Sequence, residues 1–215
     1  HIIKGLKTTV TANSRVGLFG VAKNAEIKKL GLEDVNLNGT QDVAPFIGKA
    51  YASKVTECYS TGLVQGNDHV AGIIGGTAAS TPAAKSLIRN CYSTAVIFSR
   101  TYQAGGILGT AVDVDIENVF FSGSCSSQTN TGGIVSLVDA ATAELGATAN
   151  TITNSLAVSP FLKGGTVHRI LGNAAGRAIT LTNNYANEEM LVNTAVVDPM
   201  NDTEYGSALA QGESK

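Results

Sequence analysis

Charge is scarce in this 215-residue chain, and its two signs nearly cancel. Charged residues make up 15%, against the roughly 25% usual in soluble domains, and 15 Lys+Arg face 17 Asp+Glu for a net charge of −2. That balance supplies no basic stripe, so neither nucleic acid nor an anionic membrane surface is an expected partner. A disordered chain would be poor in apolar residues and rich in charge, whereas 43% of this one is hydrophobic. Cysteine is also sparse: Cys58, Cys91 and Cys125 are too few and too scattered for a disulfide scaffold. There is no CxxC pair, and His1, His69 and His168 lie far apart, so no metal or other cofactor is expected. No apolar run reaches the roughly 18–20 residues of a membrane-spanning helix, so this segment is not expected to insert into a bilayer. A basic and apolar leader is missing as well, so any export signal is expected to lie outside this segment or to have been removed. The 24 glycines follow no three-residue period, which excludes collagen.

What the chain does have is internal repetition. A Gly-apolar-apolar-Gly motif occurs at Gly17-Leu18-Phe19-Gly20, Gly72-Ile73-Ile74-Gly75 and Gly106-Ile107-Leu108-Gly109. Variants stand at Pro45-Phe46-Ile47-Gly48, Gly133-Ile134-Val135-Ser136 and Arg169-Ile170-Leu171-Gly172. A second motif, apolar-x-Asn-x-aromatic-small, follows, as in Ile88-Arg89-Asn90-Cys91-Tyr92-Ser93 and Ile116-Glu117-Asn118-Val119-Phe120-Phe121, with Val55-Thr56-Glu57-Cys58-Tyr59-Ser60 as a variant. Weaker copies begin at Ile27, Ile152 and Leu181. From the apolar start of the second motif to the end of the next first motif the step is always 20 or 21 residues. The return step varies from 7 to 16, so extra residues enter at one place only. A solenoid imposes this rule, because each coil must match its neighbours' cross-section while loops on one edge can grow.

The uninterrupted unit is about 27–28 residues, its strand-like stretches broken by Gly, Asn, Ser and Thr, and it lacks helical periodicity. The expected fold is all-β: a parallel solenoid of about six coils with two loop insertions. The usual preference of parallel crossovers makes it right-handed. At about 4.8 Å per rung, six coils make a rod of about 29 Å.

Aligned coils give columns. Ile27, Val55, Ile88, Ile116, Ile152 and Leu181 should face the core. Two residues on, Lys29, Glu57, Asn90, Asn118, Asn154 and Asn183 should form the left-handed bends, their amides bonded from coil to coil. Leu30, Cys58, Cys91, Val119 and Ser155 should point inward, with Cys58 and Cys91 stacked as free thiols. Alternation then turns Tyr59, Tyr92, Phe120 and Tyr185 outward. Such a column is either ring-on-ring corner packing or, where exposed, a platform on which sugar rings could stack.

These motifs resemble the GLUG repeat of exported and surface proteins of bacteria, most closely at Gly17-Leu18-Phe19-Gly20, Cys58-Tyr59-Ser60-Thr61-Gly62 and Asn90-Cys91-Tyr92-Ser93. The resemblance runs from about His1 to Tyr185, and His1-Ile2-Ile3-Lys4-Gly5-Leu6 is similar to the segment before a first full copy. It implies an extracellular or cell-surface setting, a part in a longer chain, an incomplete first coil and no catalytic signature.

Enzymatic β-helices gather carboxylates on an outward face. The one acidic cluster here is Asp113-Val114-Asp115-Ile116-Glu117, and alignment sets Asp115 beside Lys54 and Thr151, and Glu117 beside Arg89 and Thr153. That is charge complementarity between coils, worth under about 1 kcal/mol where exposed. Of the insertions, 76–85 reads as a flexible excursion and 139–146 as one short helical turn. Residues 1–185 are thus expected to form the solenoid and 186–215 an acidic cap over its end. The functional expectation is a non-catalytic stalk or adhesion module that contacts host or cell-surface glycans or proteins. Its alternative is a carbohydrate-binding or carbohydrate-active β-helix using Tyr59, Tyr92 and Phe120.

Overall fold

A computed structural model describes residues 1–12, 14–80, 84–139, 149–196 and 207–209. Within them the chain is all β, thirty-two short strands with no helix. The strands form four sheets, one of fourteen strands and three of six. The coil from Gly31 shows the path. Gly31–Asn38 lies in the large sheet, Gln41–Val43 in the second, Ile47–Tyr51 in the third and Lys54–Thr56 in the fourth. Tyr59–Gly66 then opens the next coil, parallel to Gly31–Asn38. Repeated along the chain, this path winds a parallel β-solenoid of about six turns, as the spacing requires.

The columns of the sequence are ladders in space. Ile27, Val55, Ile88, Ile116, Ile152 and Leu181 pair in successive register. The four middle members are fully buried. Burial of each such side chain contributes roughly 1.5–3 kcal/mol. The apolar pairs of the first motif, from Phe46-Ile47 to Ile170-Leu171, are also at 0% exposure. On the strands of the large sheet the alternation is strict: Cys91, Ser93, Ala95, Ile97 and Ser99 are buried, and Tyr92, Thr94, Val96 and Phe98 are exposed.

The bends follow the column chemistry too. Lys29, Glu57, Asn90, Asn118, Asn154 and Asn183 all have φ between 51° and 55°. The left-handed region costs a side chain with a Cβ about 1 kcal/mol, least for Asn, whose side chain supplies local hydrogen bonds. Asn118 donates from Nδ2 to Asn90 Oδ1, and Asn183 to Asn154 Oδ1, each at 3.2 Å.

The glycines of the first motif answer to close backbone approach. A Cβ on Gly106 would lie 2.1 Å from the Gly133 carbonyl oxygen, and one on Gly109 2.3 Å from that of Gly75. The two departures from the pattern leave the ladder intact. Ser136 is buried and donates to the Asn130 carbonyl at 2.8 Å. Arg169, fully buried, donates from Nη2 to the Glu188 carbonyl at 3.0 Å.

The longer additions enter at one corner, between the third and fourth sheets: after Ala78, after Val138 and after Asn173. The helical turn expected at 139–146 lies outside the described residues, apart from Asp139. The ladder does not stop at Tyr185, where the sequence pattern ends. Tyr185–Asn187 pairs with Ser207–Leu209, and Leu191–Val192 stacks parallel on Phe161-Leu162. Ala195–Val196 then folds back antiparallel on Leu191–Val192. Leu191–Val192, Ala195–Val196 and Ser207–Leu209 thus extend the large sheet, because backbone pairing needs no repeat of side chains.

Candidate functional site

The outward column rises on the large sheet as alternation dictates. Gly31, Tyr59, Tyr92, Phe120, Leu156 and Tyr185 occupy one register position on successive coils. Tyr59 and Tyr92 stack with ring centroids 4.9 Å apart and planes 3° from parallel. Tyr92 is 40% exposed, and Tyr59, Phe120, Leu156 and Tyr185 are half-buried. The rings therefore face outward, neither sealed in a corner nor fully bare.

Tyr59 is pinned at one end of this column. Its ring lies over Gly31, where an added Cβ would meet the ring at 2.4 Å. Its hydroxyl donates to Glu33 Oε1 at 2.6 Å, while Lys4 Nζ holds Glu33 Oε2 at 2.7 Å. The hydrogen bond to Glu33, then burial, then the Glu33 charge push the Tyr59 phenol up to about 12. The bonds from Lys4 and Tyr59 hold the Glu33 carboxyl below the ordinary range. Beside the column, Val96 and Phe98 add exposed apolar surface on the same coil as Tyr92.

A polar cluster that the sequence analysis missed lies between the second and third sheets. Asp42, at 1% exposure, accepts from Arg15 Nε at 3.2 Å and lies 2.8 Å from His69 Nδ1 and 3.8 Å from Lys49 Nζ. His69 Nε2 is 3.5 Å from Asp68 Oδ1. Burial works to raise the Asp42 carboxyl, but the His69 bond, the Lys49 charge and the Arg15 bond together hold it below its usual value. Asp68, by contrast, is raised, burial being the main cause. Asp42 and His69 adopt the same left-handed backbone, φ 47° and 48°. Their equivalence was visible in sequence, since Asp42-Val43-Ala44 and His69-Val70-Ala71 each precede a first motif. Both ring nitrogens of His69 face carboxylates, so the ring ties two coils together, and Arg15 and Lys49 supply the counter-charge a metal would otherwise bring. Among the described residues no group of His, Cys, Asp and Glu side chains is arranged to hold a metal ion.

The acidic strand Val114–Glu117 is engaged between coils. Arg89 and Glu117 pair at 3.9 Å, both well exposed, as the alignment indicates. Asp115 departs from it: Leu87, not Lys54, is its direct neighbour in register. Asp115 instead takes Lys85 Nζ at 2.6 Å and the Thr151 hydroxyl at 2.8 Å. Cys58, Cys91 and Cys125 are buried free thiols. The Cys58 and Cys91 thiols donate to the Thr56 and Arg89 carbonyls; the neighbouring Cys58 and burial push Cys91 up, and burial pushes Cys125 up. No helix among the described residues is long and apolar enough to cross a membrane.

No protein-family model matches the chain. An 80-residue stretch, 37% of the chain, is 29% identical to halomucin of Haloquadratum walsbyi, and the match spans 1% of that protein's length. The fold is similar to the crystal structure of a protein from Bacteroides ovatus named a putative immunoglobulin A1 protease, with a TM-score of 0.80 and 25% identity. That match covers 98% of this chain and 67% of the other.

Proposed function

We propose that this chain is a non-catalytic, GLUG-type solenoid module of a bacterial surface or secreted protein, acting in adhesion as part of a longer polypeptide. The observation that carries this reading is how its reactive side chains are spent. Asp42 with His69, Asp115 with Lys85, Glu117 with Arg89 and Glu33 with Tyr59 are each joined coil to coil. Tyr92, Val96, Phe98 and the amides of Asn90 and Asn118 stay exposed, a surface suited to contact more than to reaction. The likeness to halomucin and to the Bacteroides ovatus protein supports an extracellular setting. Displaying the chain on a non-adherent bacterium should raise retention on a glycoprotein-coated surface, and unchanged retention would remove the adhesion role. Incubation with immunoglobulin A1 should leave the heavy chain intact; its cleavage would make the module an enzyme.

A second reading is favoured by the exposure of the aromatic column. Tyr92, stacked on Tyr59 and 40% exposed, offers ring surface to the apolar side of a sugar. On a glycan array, binding should be selective and should fall with Tyr92→Ala. A flat response across all glycans ends this reading and leaves the adhesion role to protein contacts.

A further inference from the structure

A second surface feature stands apart from the column, at the corner where the large sheet passes into the second sheet. There Thr40, Gln41, Asn67, Asp68, Thr101 and Tyr102 line an open cleft of about 370 Å³. Its volume falls at the small end of the roughly 300–1,000 Å³ typical of small-molecule sites. Tyr102 is 51% exposed and forms one wall. Its backbone is fixed from both sides, with its N–H donating to the Asn67 carbonyl and its carbonyl accepting from the Thr129 hydroxyl at 2.6 Å. The backbone that carries the ring is thus fixed, and about half of the residue stays exposed.

Several of the polar groups around it are unspent, while the Thr40 hydroxyl is bonded to Ala12 and Ser14. Asn67 Oδ1 accepts from Arg100, whose other guanidinium nitrogen is bonded to Asn38 and Gln65, so this cation is engaged across three coils. The Asn67 Nδ2 amine, the Gln41 amide and the Thr101 and Tyr102 hydroxyls make no hydrogen bond among the described residues. Asp68 Oδ1 is buried and has no hydrogen-bond donor, its nearest charged neighbour being His69 Nε2 at 3.5 Å. Asp68 Oδ1, buried without a donor, makes the cleft favour a ligand that donates hydrogen bonds.

We infer that the cleft formed by Tyr102, Thr101, Asn67, Asp68 and Gln41 is a binding site for a single neutral sugar unit. A sugar presents an apolar C–H face for the Tyr102 ring, and its hydroxyls both donate and accept, matching amide, carboxylate and hydroxyl partners together. The six lining residues include no basic side chain, so a phosphorylated ligand gains no counter-charge there. This site goes beyond the aromatic column, since Tyr102 lies on the corner and not in the register of Tyr59, Tyr92 and Phe120.

The test is amide chemical-shift mapping with methyl glucoside, methyl galactoside, methyl mannoside and N-acetylglucosamine, with adenosine and inorganic phosphate as controls. At least one glycoside should shift the amides of Asn67, Asp68, Thr101 and Tyr102. Tyr102→Ala should weaken that binding about tenfold or more, the loss usual for one aromatic anchor. Tyr102→Phe, which keeps the ring, should retain most of it. Because Tyr102 is half exposed, both variants should melt with the unsubstituted protein, which separates lost contact from lost fold. No shift at these amides with any glycoside overturns the site, as does equal binding of adenosine. Shifts confined to Tyr59, Tyr92 and Phe120 also overturn it, while supporting the column as the sugar platform.

Discussion

The Tyr59 ring is clamped between Gly31 below and Tyr92 above, so the stack with Tyr92 depends on a residue with no side chain. A Cβ at Gly31 would sit 2.4 Å from the ring and displace it, which also breaks the hydroxyl bond to Glu33. Gly31→Ala should therefore unstack the pair with only modest loss of stability, because a half-exposed ring can swing away. Near-UV circular dichroism of the tyrosines should fall. Alkaline titration should show one phenol moving from about 12 towards the ordinary value near 10. An unchanged titration would show that Tyr59 does not rely on this clamp.

Backbone approach makes Gly106 far less forgiving. Its would-be Cβ meets a carbonyl oxygen of the next coil at 2.1 Å, and two stacked backbones would have to part. Gly106→Ala should cost about 3 kcal/mol, the upper end of overpacking penalties. Gly176→Ala is the control: nothing lies within 4 Å of its Cβ, though φ is +69°. It should cost only about 1 kcal/mol through backbone strain. Urea unfolding of the two variants measures the contrast.

The Asn ladder allows a cleaner separation of effects. Asn118→Gly keeps the left-handed bend and loses the amide bond to Asn90, for about 1 kcal/mol. Asn118→Ala loses the bond and adds strain at φ 52°, so it should cost about 2 kcal/mol. The order Asn, Gly, Ala in melting temperature is the expected outcome. Equal losses would mean the bend imposes no conformational demand.

Acid should act through Asp42. Its carboxyl is held below the unfolded value, so its contribution is present above about pH 4 and is lost as pH falls through the lowered folded value. Asp68 works the other way: its raised carboxyl gains a proton earlier when folded, which favours the folded state as pH falls through that value. Asp42→Asn should destabilise by roughly 2–4 kcal/mol at neutral pH, since Arg15, His69 and Lys49 lose their buried partner. It should also flatten the decline in stability below about pH 4. A variant that declines as steeply as the unsubstituted protein would assign acid lability elsewhere.

Much of the fold was legible because a solenoid writes its contacts as columns. Ile88 over Ile116, Asn90 bonded to Asn118 and Tyr92 in register with Phe120 all follow from residues one coil apart. Contacts set by where a bend or a long side chain points were not legible in the same way. The Asp42–His69 tie depends on left-handed residues that turn both side chains to one corner, and no column states where they point. Arg100 spans three coils to Asn38, and Lys85 displaces Lys54 as the partner of Asp115, both through the reach of long side chains. The corner cleft was missed because Tyr102 falls between the two motifs, in the stretch the alignment treated as mere spacing.

Three additions to the repeat emerge on a single seam, between the strands ending at Ala78, Val138 and Asn173 and those that follow. Evolution and the protein engineer are offered the same licence by this geometry. Foreign peptides grafted at that seam would project side by side at the pitch of the rungs, leaving the packed interior untouched.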